Sequence, residues 1–185
     1  MLPVVKKWRL CNQCKNVKAC NHVFYRGASP CDILFIGDAP GVNEDMCGLP
    51  LVGSEGDLLN SIIDELNYEE VDFTYGVTDV LSCLPVDPKG SVRLPTDEEV
   101  ATCRPRLLQT VHDVEPLMIC FLGKIAKKHT NNIHQLACYT SLTLPHPRDI
   151  LKSGGYGSVS YLRSKLYLKE FIEEYHAEET TMAIV

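Results

Sequence analysis

Residues 32–37, Asp-Ile-Leu-Phe-Ile-Gly, run directly into the turn Ala39-Pro40-Gly41 through a single acidic residue, Asp38. A strand that is apolar on successive residues needs cover on both faces, which is the condition of a parallel sheet lying between helices. The loop at the carboxyl end of such a strand is where α/β proteins place their active sites. This one segment therefore narrows both the architecture and the place to look for chemistry.

The rest of the chain supplies the other layers. Ser54 is placed to cap a helix carrying Leu58, Leu59, Ile62, Ile63 and Leu66 at spacings of three and four. Phe73 to Leu81 predict a second strand, Pro116 to Leu122 a third, and Leu142 to Pro145 a short fourth. Thr96 and Glu99 form a capping box for a helix through about His112, and Gly123 turns the chain into a basic helix from Lys124. Residues 131–141 carry no clear period. The loop His146-Pro147-Arg148 precedes a glycine-rich stretch, Ser153 to Gly157, and a final helix from Ser160 to Tyr175. Strands alternating with helices imply a three-layer α/β/α fold with a central, mostly parallel four-stranded sheet. The expected organisation is one domain over residues 1–176, with a flexible tail at 177–185.

Composition excludes several classes. In 185 residues, 45% hydrophobic and 23% charged, no run is long and apolar enough to span a membrane. Met1 to Leu10 lack the apolar core of a secretory signal, so the cytoplasm is the expected compartment. The net charge of −6 does not advertise a nucleic-acid binder. Local clustering matters more: Lys6, Lys7, Arg9, Lys15, Lys18 and Arg26 surround the first cysteines, and Arg104 and Arg106 follow Cys103. They read either as a solvated basic face or as phosphate contacts.

Nine cysteines without a signal sequence are not a secreted disulfide framework. Cys11 and Cys14 form a C-x-x-C pair, while Cys83 and Cys103 stand alone beside proline-containing turns. One close pair and two distant singles can cage an iron–sulfur cluster, and four thiolates also suit tetrahedral zinc. Cys120, inside the apolar run 117–122, reads as a buried small hydrophobe, and Cys20 competes for a ligand position. The loop after the first strand lacks the spacing and lysine of a phosphate-binding P-loop.

Six segments in order resemble the iron–sulfur uracil-DNA glycosylases of family four. They are the early C-x-x-C; Gly37-Asp38-Ala39-Pro40-Gly41 with Glu44-Asp45; Gly48-Leu49-Pro50-Leu51-Val52-Gly53 leading to Gly56, Leu58 and Leu59; Thr78-Asp79 leading to Cys83; Cys103 with the turn Leu122-Gly123; and His146-Pro147-Arg148. The resemblance implies a uracil-DNA glycosylase-like fold in which Cys11, Cys14, Cys83 and Cys103 hold a structural 4Fe-4S cluster, with zinc as the alternative. It implies hydrolysis of a base–sugar bond in DNA, single-stranded or with the base flipped out. Asp38 takes the carboxylate role near the sugar, and His146 donates to the base oxygen. Gly37, Ala39, Pro40, Gly41, Leu51 and Asp79 contact the base. Arg148 and Lys152 contact DNA, and residues 149–157 form a wedge loop with Ile150 and Leu151 as apolar candidates. A monomer is expected, with a replication or repair protein as a possible partner. Taken singly, Asp38 reads as a loop cap and His146 as a satisfied core histidine; only their joint placement at strand ends makes a site. Glu44 and Asp45 read equally as loop solvation.

Three departures fall on the implied pocket. Asp38 stands where the family has Glu, Leu51 where it has a stacking Phe, and Asp79 where it has an Asn that reads uracil. An ionised Asp79 can only accept hydrogen bonds, and a protonated one can also donate. Altered base preference is one expectation. A catalytically weak relative that binds DNA or accompanies a replication protein is the alternative.

Overall fold

The structure, a computed structural model, describes residues 1–14 and 21–182, with side chains to Ala177. The elements in chain order are α1 (Pro3–Trp8), β1 (Arg26–Gly27), β2 (Ile33–Gly37), α2 (Val42–Cys47), α3 (Ser54–Tyr68), β3 (Tyr75–Asp79), α4 (Asp97–Val114), β4 (Met118–Leu122), α5 (Lys124–Thr130), β5 (Thr140–Leu144), α6 (Pro147–Lys152) and α7 (Val159–Met182). The sheet has five strands in the order β1-β3-β2-β4-β5. The four expected strands are mutually parallel, and the fifth, β1, is a two-residue strand antiparallel to β3 at one edge.

Alternation along the strands builds two cores. Ile33 and Phe35 of β2, with Met118, Cys120 and Leu122 of β4, face Leu58, Leu59, Ile62, Ile63 and Leu66 of α3 and Tyr161, Leu168 and Ile172 of α7. Leu34, Ile36, Ile119 and Phe121 point the other way, onto Val100, Leu107, Val111 and Val114 of α4 and Ala126 of α5. This period of two explains why β2 and β4 are buried at all five positions. Cys120 is fully buried in the first core, as its apolar setting predicts.

Four segments differ from the sequence expectation. The loop after Gly41 contains α2, closed by Gly48 in the left-handed conformation; exposed Val42 and Met46 leave it no apolar face to read. Residues 146–152 are not a simple loop. His146 caps α6, with Pro147 in its first turn, where a missing N–H costs nothing. The unassigned stretch 131–141 holds a 3-10 turn at His134–Leu136 and the start of β5, whose first two residues are exposed and polar. Helix α7 continues past Tyr175 to Met182. Residues 183–185 of the expected tail, and Lys15, Lys18 and Cys20, lie outside the described residues. Among the described residues, no helix is long and apolar enough to cross a membrane.

The connections position the site. From β2 the chain crosses to β3 on one side, and from β3 it returns to β4 on the other. The reversal falls between β2 and β4, so the loops after Gly37 and Leu122 diverge at the carboxyl edge of the sheet. That is the switch-point crevice of an open α/β sheet.

Candidate active site and cysteine cavity

Asp38 leaves β2 at this crevice and is 5% exposed. His146, 8% exposed, arrives from the end of β5, and its Nε2 lies 3.3 Å from Asp38 Oδ1. The two residues are 108 positions apart in sequence and are brought together only by strand order. Gly123 makes the approach possible. Its φ of +91° is in the left-handed half of the map, and a Cβ there would sit 3.1 Å from His146 Cβ. Gly37 serves the neighbouring strand end, since a Cβ would stand 2.3 Å from Asp79 Oδ1.

His146 has a defined polarity. Its Nδ1 accepts from the Arg148 backbone N–H at 3.2 Å, the cap of α6. In the neutral ring the proton therefore sits on Nε2, facing Asp38. Burial works against charge on both residues, but each partner's proximity outweighs it. The Asp38 carboxyl is held below the ordinary aspartate range by the imidazole and by Arg148 beyond it. The His146 imidazole is raised above its ordinary value by Asp38 and Glu55. The 3.3 Å approach is an ion-pair contact without hydrogen-bond alignment, and Asp38 Oδ1 is buried with no donor of its own among the described residues.

A cavity of about 530 Å³ opens beside this pair, between the ends of β4 and β5 and the start of α6. Leu122, Ile125, Leu144 and Pro145 make it largely apolar, and Asp38, His146, Lys124, Arg148 and Asp149 supply its polar groups. A size of several hundred Å³ suits a small ring system with few polar contacts. Of the expected site residues, Asp38, His146 and Arg148 line this cavity. Gly37, Ala39, Pro40, Gly41, Leu51 and Asp79 do not. Lys152 is exposed at the end of α6.

Those remaining residues form the adjoining strand-end region. Leu51 is 6% exposed, packs into the α3 core and adopts a left-handed backbone (φ 53°). Arg26 steadies that turn by donating to the carbonyls of Pro50 at 2.8 Å and Leu51 at 3.3 Å. Asp79 is 3% exposed, and its Oδ2 is buried without a donor. Burial, then the nearby Asp38 charge, pushes its carboxyl up to about 7. Glu44 is structural, not loop solvation. Its two oxygens accept from the N–H of Gly41 at 3.0 Å and of Val52 at 2.9 Å, clamping the Asp38 loop to the Leu51 turn. Asp45 is buried and accepts from the Asn21 N–H at 3.3 Å, so it too holds the loop from within.

Sequence reading missed Glu55, in the first turn of α3. Its Oε1 accepts from Arg148 Nε at 3.0 Å, and its Oε2 lies 3.7 Å from His146 Nδ1. No local signal marks a first-turn glutamate as facing a histidine 91 residues away. Two other readings are corrected. Arg106 is not a surface phosphate contact: it is 1% exposed and donates to Thr78 Oγ1 at 3.0 Å and to the carbonyls of Asp79 at 2.6 Å and Val80 at 2.7 Å. Ile150 is not a wedge, being 2% exposed in the α3 core; the exposed apolar group in that loop is Tyr156.

Cys11, Cys14, Cys83 and Cys103 line one small cavity with Trp8, Ser82 and Arg106. Burial, then the charge of its neighbouring cysteines, pushes the Cys14 thiol up to about 11 and the Cys83 thiol up to about 12. Burial also raises Cys103, but Arg106 and Ser82 outweigh it and bring the thiol below its ordinary value. Trp8 Nε1 and Arg106 Nε are buried donors without acceptors. Among the described residues, no three Cys, His, Asp or Glu side chains gather closely enough to hold a single metal ion.

The family model described as "Uracil DNA glycosylase superfamily" matches residues 24–174. A type-4 uracil-DNA glycosylase of Saccharolobus solfataricus is 36% identical over 120 residues, 63% of this chain and 52% of that protein. One from Archaeoglobus fulgidus is 31% identical over 134 residues, 72% of this chain and 64% of that protein. One from Thermotoga maritima is 32% identical over 124 residues, 66% and 62% respectively. The chain thus spans between about half and two thirds of the length of these relatives. The matched span contains the Asp38–His146 pair, Asp79 and the whole parallel sheet, and on that match the chain belongs to the uracil DNA glycosylase superfamily.

Proposed function

We propose that this protein is a DNA glycosylase that hydrolyses the N-glycosidic bond of uracil or another altered pyrimidine. The observation that carries the reading is the buried Asp38–His146 pair at the switch point of the sheet, beside a ring-sized cavity. Breaking this bond leaves positive charge on the sugar and negative charge on the base. A carboxylate and a proton-bearing imidazole 3.3 Å apart match those two charges. Asp38 stabilises the sugar cation and orients the water that adds to it, and His146 turns its Nε2 proton from Asp38 to the base oxygen when the base enters. A base must leave the duplex to reach such a buried pair, so the substrate is single-stranded DNA or a flipped nucleotide. Arg148 and Lys152 contact the backbone, and Tyr156 is the exposed ring of the glycine-rich loop.

Asp79 reads the edge of the base. Protonated, it donates to a carbonyl; ionised, it accepts from an exocyclic amine. Its raised pKa, about 7, makes base preference a function of pH.

Cys11, Cys14, Cys83 and Cys103 hold an iron–sulfur cluster, which binds the N-terminal segment to the body of the protein and supplies no chemistry to base release. The donor set supports this. Thiols raised by burial and then by each other's charge favour a site that supplies positive charge, and two unpartnered N–H groups suit cluster sulfur. A zinc ion would need its thiolates closer, at about 2.3 Å from one centre. The protein works as a monomer in the cytoplasm, where thiols stay reduced.

The test uses iron-loaded protein and oligonucleotides with one uracil, single-stranded or opposite guanine, scored for alkali-labile sites. Product that disappears in Asp38→Ala and His146→Ala supports the proposal. No product from any uracil or altered-pyrimidine substrate overturns it.

A further inference from the structure

His146 lies between two carboxylates, and only one of them, Asp38, belongs to the motif loop that first drew attention. The other is Glu55. Its side chain is 29% exposed, and those of His146 and Asp38 are 10% and 7% exposed, so the three meet where water screens them weakly. Glu55 divides its oxygens: Oε1 accepts from the Arg148 guanidinium at 3.0 Å, and Oε2 stands 3.7 Å from His146 Nδ1. Arg148 is joined to the same ring through its backbone, whose N–H caps Nδ1 at 3.2 Å.

This arrangement gives the ring two states. Neutral, Nδ1 accepts from the Arg148 N–H, and Nε2–H faces Asp38. Protonated, Nδ1 carries a hydrogen and can no longer accept, so the cap must yield and the new N–H needs an acceptor. Glu55 Oε2 is in place to become one. The other charges around the ring are Asp38 from the end of β2, Asp79 from the end of β3, Lys124 of α5, and Arg148 and Asp149 of α6. Glu55 is the acceptor on the Nδ1 side.

We propose that Glu55 is a positioning residue of the site: its carboxylate holds His146 as a cation opposite Asp38 and keeps Arg148 at the cavity rim. Resting on the glycosylase reading, this gives the departing base a charged donor, which binds a developing anion more strongly than a neutral one. It also explains how an arginine can follow the histidine without repelling the proton, since Glu55 neutralises it.

The experiment follows the His146 ring proton by NMR across pH in the full chain. The signal is assigned by its loss in His146→Gln, and the signals of the other histidines control for folding. In Glu55→Gln the His146 midpoint is expected to fall by about one pH unit or more. In Arg148→Gln, which removes the opposing cation, it is expected to rise. A purely structural Glu55 would leave the midpoint unchanged in Glu55→Gln. An unchanged His146 midpoint in folded Glu55→Gln overturns the proposal; should that variant not fold, an unchanged midpoint in Glu55→Asp, which draws the carboxylate back by one methylene, does so. A second readout is the pH profile of base release, whose His146 limb should move with the NMR midpoint. Loss of base release in the wild type would strike the glycosylase reading and leave the NMR result standing.

Discussion

The Asp38–His146 cavity and the cysteine cavity place ionisable groups in the protein by opposite means. In the first, the central charges face one another within the fold: Asp38 faces His146, and Glu55 faces His146 and Arg148. In the second, four thiols share a cavity with one cation, Arg106, and two of the thiols are pushed well above their ordinary value. The first site sets charge states by pairing opposite charges, and the second sets them by burial and by crowding thiols together. Arg106 joins them. It lines the cysteine cavity and holds the end of β3, where Asp79 sits.

The largest expected effect attacks the self-paired site. His146→Ala should lower the rate of base release about 10²–10⁴-fold with little change in melting temperature, measured by single-turnover cleavage and thermal melts. A melt lowered as much as the rate would make His146 a structural residue. Cys83→Ser should do the reverse. It is expected to lose bound iron and the brown absorbance and to cost about 4 kcal/mol or more of stability, read by iron assay and urea unfolding. Retained iron would move the fourth ligand elsewhere.

Asp79→Asn sharpens the comparison by testing a fully buried carboxylate whose Oδ2 has no donor. The Asp79 pKa is raised by folding, to about 7, so the folded state holds its proton longer than the unfolded chain. Wild-type stability from this group is present below the unfolded value of roughly 4 and is lost as pH rises toward 7. The variant should therefore match wild type near pH 4 and exceed it at pH 8 by on the order of a few kcal/mol. Melts at the two pH values check this, and equal differences at both would refute it. Uracil release should also rise in the variant and lose the part of its pH dependence that Asp79 sets near 7. The smallest effect belongs to Glu44→Ala, which unclamps the Asp38 loop from the Leu51 turn. A loss of about 1 kcal/mol is expected, with weaker substrate binding and an intact Asp38–His146 contact.

Much of this was legible from residue order. Continuous apolar runs, the Thr96–Glu99 capping box and the glycines at the ends of β2 and β4 located the parallel strands and the main helices to within a few residues. The polar first residues of β5 and the exposed helix α2 escaped because neither buries a periodic face. Asp38 and His146 were legible as motif residues, and the cysteine set as a spacing. Arg106 was misread because an arginine following a cysteine gives no sign that it will be buried against three strand-end acceptors.

Local chemistry along the chain determined where strands stop and which residues turn the loops, because hydrophobic period, caps and glycines act over a few residues. Only the tertiary structure decided that Glu55 meets His146, that Asp79 is buried beside Asp38, and that four cysteines share one cavity. Those meetings depend on strand order and on burial. The charge states that carry the chemistry follow from distances and desolvation, which exist only once segments remote in sequence have packed together.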